Sequence, residues 1–212
     1  MDASPFQKPL EIAALMQGFD RSWYVAGGWA IDLYLGRVRR HHKDIDISLL
    51  RQDQIAVQEH LIRRGFNGME KIVGEANERQ HWPRGEELEP DTFQVFVALG
   101  SDGLAEFELL FGPTEGDEWL FRRNHQIRRH ISRLGRVSEI GVPFLSPEIV
   151  LLFKSRHVHN PPTDLDAKHI EFRSNDEADF QEVRETLDEE QRAWLKNAIE
   201  LCYPGHRWLG HL

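Results

Sequence analysis

The feature that most constrains this 212-residue chain is a pair of glycines, Gly27-Gly28, followed at short range by Asp44-Ile45-Asp46. From Asp44 to Leu50, polar residues at 44, 46 and 48 alternate with Ile45, Ile47 and Leu49, the period of a strand with one covered face. Side chains two apart on a strand share a face, so the two carboxylates stand together, repel, and raise one pKa. A divalent cation removes that conflict. Oxygen ligands of this kind suit Mg2+, which takes one or two carboxylates plus substrate phosphates. A Gly-Gly turn at the start of a helix lets backbone N–H groups approach a phosphate. Taken singly, an Asp-x-Asp is more often a solvated pair, and a Gly-Gly only a turn. Together they form a phosphate cradle beside a carboxylate metal site, the equipment of phosphoryl or nucleotidyl transfer.

The surrounding pattern mixes short strands with helices. The spacing predicts a helix over Pro9–Gln17, a strand over Trp23–Ala26 and a helix over Trp29–Leu35 ended by Gly36. After the Asp44–Leu50 strand, Asp53 reads as the N-cap of a helix reaching about Arg64. Another strand is expected within 65–74 and a polar loop over 75–91. Thr92–Leu99 and Leu104–Phe111 flank a Gly-containing turn and read as a hairpin. Beyond Gly141 the pattern turns helical. Ser146-Pro147-Glu148 opens one helix, and Ser174-x-x-Glu177 and Asp188-x-x-Gln191 resemble capping boxes of two more, with a loop between containing Pro161-Pro162. The expected organisation is an α/β unit over 1–141 and a helical unit over 142–212.

Composition sets outer limits. A hydrophobic fraction of 40% with 29% charged residues is ordinary for a globular protein. The single cysteine, Cys202, excludes an internal disulfide framework and favours a reducing, cytoplasmic setting. No signal peptide or membrane-length apolar run is expected. The net charge of −9 disfavours a nucleic-acid partner. The charge is uneven. Residues 119–137 hold six arginines and no acid, whereas residues 161–200 hold twelve acids against five Lys or Arg. Both runs read first as solvated, mutually pairing surfaces; in function, the first suits pyrophosphate or RNA and the second a polycation.

The stretch Tyr24-Val-Ala-Gly-Gly-Trp-Ala-Ile-Asp32, then Arg40-His-His-Lys-Asp-Ile-Asp46, resembles the nucleotidyltransferase superfamily, most closely the aminoglycoside (2-double-prime type) and lincosamide nucleotidyltransferases. Pro143-Phe-Leu-Ser-Pro-Glu148, with Leu151, Leu152 and Lys154, is similar to that group's entry into its helical region, as are Asp188, Glu189, Arg192, Trp194 and Leu195. The resemblance implies an α+β fold: a short mixed sheet flanked by helices, followed by a C-terminal helical domain across a cleft. It implies Mg2+ on Asp44, Asp46 and a third carboxylate, Glu106 or Glu108 with Glu108 favoured, the same three serving catalysis. It implies ATP or another NTP held by Gly27, Gly28, Arg40, His42 and Lys154. The implied reaction is transfer of a nucleoside monophosphate, AMP from ATP, to a hydroxyl of a small molecule such as an aminoglycoside-like antibiotic, and hence antibiotic resistance. The alternatives are a toxin-like enzyme modifying RNA or protein, and a non-catalytic nucleotide-binding protein of the same fold. Where some relatives carry a Lys-Asp-x-x-Asp-Phe string, this chain has Asn175 before Asp176, Asp179 and Phe180. Trp29 reads as packing, Asp32 as orienting the glycine turn or the Arg40 loop, and His81 and Trp82 as part of an acceptor-side lid.

Overall fold

The computed structural model describes residues 4–74, 77–98, 107–159 and 167–212, and only the backbone of 157–159 and 167–173. Its helices are α1 (Gln7–Leu15), α2 (Gly27–Leu35), α3 (Gln54–Arg63), α4 (Pro147–His159), α5 (Ala167–Val183) and α6 (Glu189–Cys202). Its strands are β1 (Trp23–Val25), β2 (Asp46–Leu50), β3 (Gly68–Val73), β4 (Glu78–His81), β5 (Gln94–Ala98), β6 (Phe107–Gly112), β7 (Thr114–Glu115), β8 (Glu118–Phe121), β9 (Asn124–His130), β10 (Gly135–Val137) and β11 (Pro143–Leu145). The architecture is α+β. Eight strands form one mixed sheet in the order β10-β11-β1-β2-β6-β5-β3-β4, and β7-β8-β9 form a small second sheet.

Within the main sheet, β1 runs parallel to β11 and β2 parallel to β6, while the other neighbours are antiparallel. The expected alternation is realised in β2, where Ile47 and Leu49 are buried and Asp46 and Ser48 line the opposite, cleft face. Val95, Val97, Phe107, Leu109 and Phe111 extend the same apolar layer. At about 25 cal/mol per Å2 of apolar surface, each such side chain stabilises the sheet by roughly 1.5–3 kcal/mol.

Several boundaries differ from the sequence reading, each for a local reason. Asp44 precedes β2, because the Trp29 indole Nε1 donates to its carbonyl (3.1 Å) and removes that group from the ladder. Asp53 stands at the N-cap position of α3 as expected, but its side chain makes no capping hydrogen bond and lies 3.8 Å from Arg21. The polar stretch 75–91 is not loop throughout: it contains β4, an edge strand exposed at all four residues and so without any alternation to read. Trp82 is a core residue whose indole donates to the Glu86 carbonyl (2.7 Å), so the lid reading of that residue is withdrawn. Ser174 opens no helix, since α5 begins at Ala167; the Pro161-Pro162 loop and the hairpin turn at 100–103 lie outside the described residues. The Asp188–Gln191 capping box is present in full.

α4 packs on α5 and α6, and these helices meet the rest of the fold through α2, which lies on β11, and through β9 of the small sheet. A buried network joins them. The Glu148 carboxylate on α4 accepts from Arg129 of β9 (2.6 Å) and from Gln191 of α6 (2.6 Å). Phe180 of α5 stacks face to face on Trp208, with centroids 4.1 Å apart. No helix among the described residues is long and apolar enough to cross a membrane.

Candidate functional site

α2 starts where β1 ends, and the junction is tight. Gly27 has φ +61°, a left-handed conformation, and a Cβ there would lie 2.5 Å from Asp46 Oδ2. Only glycine meets both conditions without strain. A Cβ on Gly28 would run into the Arg40 and His42 side chains. The N-cap residue is Ala26, which offers no side-chain cap, so the first N–H groups of α2 remain for a ligand.

Asp46 and Glu108 are direct register partners on β2 and β6, so their carboxylates project side by side into a cleft of about 620 Å3. Gln94 on β5 donates to Glu108 (2.5 Å). Burial, then the neighbouring charges of Glu108 and Asp44, push the Asp46 carboxyl up to about 7, against the opposing pull of Lys154. Asp44 sits at the exposed rim of the cleft, on the turn held by Trp29. Glu106, the other candidate third carboxylate, lies outside the described residues. Among the described residues no three His, Cys, Asp or Glu side chains enclose a metal by themselves. Two carboxylates, Asp46 and Glu108, face the cleft side by side. Such a donor set fits Mg2+, which keeps positions for water and substrate phosphate, and a cation there would relieve the repulsion at Asp46.

Behind the rim lies a buried ionic cluster. His42 Nε2 lies 2.6 Å from Asp32 Oδ2, and the His42 ring packs against Trp29 with centroids 4.4 Å apart. Arg39 bridges α2 to α5, donating to Asp32 (2.7 Å) and Asp179 (2.6 Å). Burial raises the Asp32 carboxyl, but the His42 hydrogen bond and the Arg39 charge outweigh it and the net shift is downward. Arg40 lies above this layer, part-exposed in the cleft and 3.7 Å from Asp179. Lys154 on α4 pairs with Asp176 and with Asp179 (2.9 Å) and also lines the cleft. Burial disfavours its charge, yet the two carboxylates prevail and its pKa is raised.

Eight of the residues singled out from the sequence, Gly27, Gly28, Arg40, His42, Asp44, Asp46, Glu108 and Lys154, border this one cleft. Their depths differ: His42 is buried and tied to Asp32, whereas Arg40 reaches the open space. Arg39 and Asp179 were missed. Arg39 is one of a run of basic residues with no pattern to distinguish it, and Asp179 is sequence-distant; an acid followed by Phe180 in an apolar helical stripe was the available signal.

The arginine-rich segment divides in two. Arg128 pairs with Glu115 and Glu118, Arg129 with Glu148, Arg133 with Glu190, and Arg136 with Asp188. Arg122 and Arg123, in the turn between β8 and β9, border the cleft instead, beside Phe93, Trp119 and Phe153. The acid-rich segment is largely committed to structure, with Asp176, Glu177, Asp179, Glu182 and Glu190 in ion pairs and Asp188 in a cap.

Residues 9–106 match the family described as aminoglycoside-2''-adenylyltransferase. That span includes both glycines and both aspartates and ends just before Glu108. No curated protein matches the sequence. Among solved structures, the fold is similar to the solution structure of the antibiotic-resistance factor ANT(2'')-Ia (20% identity, 95% of this chain and 94% of that chain, TM-score 0.54). It is similar to the crystal structure of ANT(2'')-Ia with adenylyl-2''-tobramycin (16% identity, 92% and 98%, TM-score 0.55). It is also similar to the lincomycin-bound lincosamide antibiotic adenylyltransferase LnuA (18% identity, 81% and 96%, TM-score 0.50). The family match thus covers a little under half of the chain, and over nearly its whole length the fold is similar to that of the aminoglycoside and lincosamide adenylyltransferases.

Proposed function

We propose that this chain is a nucleotidyltransferase that moves a nucleoside monophosphate, AMP from ATP, onto a hydroxyl of a small molecule, within a cytoplasmic setting. The observation that carries the reading is the pairing of Asp46 with Glu108 directly below the uncapped start of α2. Residues 1–141 would hold the nucleotide and 142–212 would close the cleft from the helical side. In the reaction, the acceptor oxygen attacks the α-phosphorus in line. The α–β phosphoanhydride bond breaks, and pyrophosphate leaves with its electron pair. The acceptor's proton passes to a carboxylate, for which Glu108 is the residue we assign. The Gly27-Gly28 turn and the N–H groups of α2 receive the outgoing phosphates, and Arg40 and Lys154 add positive charge against the developing negative charge. Asp44 and Asp46, with Glu108, would hold Mg2+, which supplies charge neutralisation at the attacked phosphate. His42 and Asp32 act through position: they fix the Arg39–Asp44 loop beneath the glycines.

The acceptors named for the structural relatives, tobramycin and lincomycin, set the first compounds to test. Purified protein is incubated with Mg2+, α-labelled ATP or GTP, and each antibiotic, and label transfer is followed by mass spectrometry. Release of pyrophosphate coupled to a mass gain of one nucleoside monophosphate supports the reading. Absence of Mg2+-dependent ATP or GTP binding overturns it.

A further inference from the structure

The cleft has two chemically different ends. One end holds Asp46, Glu108 and the start of α2. The other lies along the same strand face: Leu110 and Gly112 continue the side of β6 that carries Glu108, and Arg122 and Arg123 stand at that end beside Trp119. Gly112 is four residues beyond Glu108, which places this end roughly 13 Å away at about 3.3 Å per residue. A triphosphate running from Asp46 to the start of α2 extends away from it.

The arginine end is the two-residue turn Arg122-Arg123 between β8 and β9. The Arg122 guanidinium lies over the Phe93 ring (5.0 Å), which Arg51 also covers (5.1 Å). Arg123 packs against Phe121 and Phe153 (5.6 Å each) and donates to the Phe153 carbonyl (3.2 Å). Its Nε is buried with no hydrogen-bond partner. Unlike the four other arginines of this segment, neither pairs with a carboxylate among the described residues. Burial and mutual repulsion, Arg156 included, lower the pKa of Arg122, and the Arg123 shift is also downward, led by burial. From the α6 side the facing groups are Tyr203 and Cys202.

Positive charge gathered on an aromatic wall, with no carboxylate partner among the described residues, is a receptor for an anion. We propose that the acceptor carries an anionic group such as a carboxylate on an apolar or aromatic body, and that Arg122 and Arg123 receive it. Its hydroxyl then extends along the floor over Leu110 toward Glu108. This assignment rests on the nucleotidyl-transfer reading and narrows its substrate class. A polycationic aminoglycoside would place ammonium groups against two guanidiniums that face no carboxylate among the described residues, which costs affinity.

Three matched hydroxyl compounds test it: para-(hydroxymethyl)benzoate, the corresponding amide and the corresponding benzylamine. Each is titrated calorimetrically into the wild-type protein and the Arg122→Gln variant, with tobramycin alongside and Mg2+-ATP in a separate titration. Arg122 lies in the turn between β8 and β9, outside the apolar core, so its loss leaves the core intact; Arg123→Lys is a second variant that keeps the charge but loses the guanidinium fork. The expected result is a preference of about tenfold for the benzoate over the benzylamine, reduced in both variants, with Mg2+-ATP affinity unchanged. A preference for the benzylamine or tobramycin, equal affinity for all three compounds, absence of benzoate binding included, or loss of Mg2+-ATP affinity in Arg122→Gln overturns the proposal. Failure of Mg2+-ATP to bind the wild type counts separately, against the transfer reaction and not against the anion site.

Discussion

Asp46 is the residue whose environment says most. Its carboxyl is pushed up to about 7, first by burial and then by Glu108 and Asp44. In the unfolded chain the same group titrates near 3.8. Between those values the folded protein holds a proton that the unfolded chain has lost, so metal-free stability falls as pH rises through this window, and the cost is fully present above about 7. Asp46→Asn is therefore expected to raise the metal-free melting temperature at pH 8, to make little difference near pH 4, and to lower transfer activity about 100-fold or more. Scanning calorimetry at the two pH values with an activity assay checks both halves. Gly27→Ala meets a left-handed backbone and the Asp46 carboxylate together. It is expected to cost roughly 1–2 kcal/mol in stability and to weaken Mg2+-ATP binding, as urea unfolding and calorimetric titration would show. The carboxylate pair and the glycines were legible in the sequence because they are close in the chain. Asp44 was misplaced within the strand, because the bond from Trp29 to its carbonyl is not written in any local pattern.

At the scale of elements, the link between α2 and α5 is ionic and buried. Arg39 donates to Asp32 on α2 and to Asp179 on α5, and its side chain is 9% exposed. Removing one partner of such a cluster leaves uncompensated carboxylates in a dry environment, which typically costs about 3–5 kcal/mol. Arg39→Met is expected to lose an amount of that order in urea unfolding, whereas Arg37→Met, which breaks the exposed pair with Glu182, is expected to lose less than about 1 kcal/mol. The helices themselves were readable where capping chemistry is local, as at Asp188–Gln191. They were unreadable where a cap-like string falls inside a longer helix, as at Ser174 in α5. β4 escaped for a different reason: an exposed edge strand needs no apolar face.

For the whole molecule, the cleft is bounded by the sheet, α2, α4 and the start of the α5 acidic string, so a ligand there touches elements far apart in the chain. Mg2+ and ATP together are expected to raise the melting temperature more than the sum of their separate effects. Ligand at 100 times its Kd is worth about 2.7 kcal/mol. Chelation with EDTA is expected to abolish most of that gain, and thermal unfolding with each component alone and combined measures it. The sequence by itself determined the α+β class, the glycine turn and the two aspartates, because strand period, turn chemistry and short-range motifs are properties of neighbours along the chain. Only the tertiary structure decided that Glu108 stands beside Asp46, that Lys154 is held by Asp176 and Asp179, and that two of six clustered arginines border the cleft while four are spent on ion pairs. Those are matters of strand register and helix docking, where residues separated along the chain become neighbours through burial rather than through sequence.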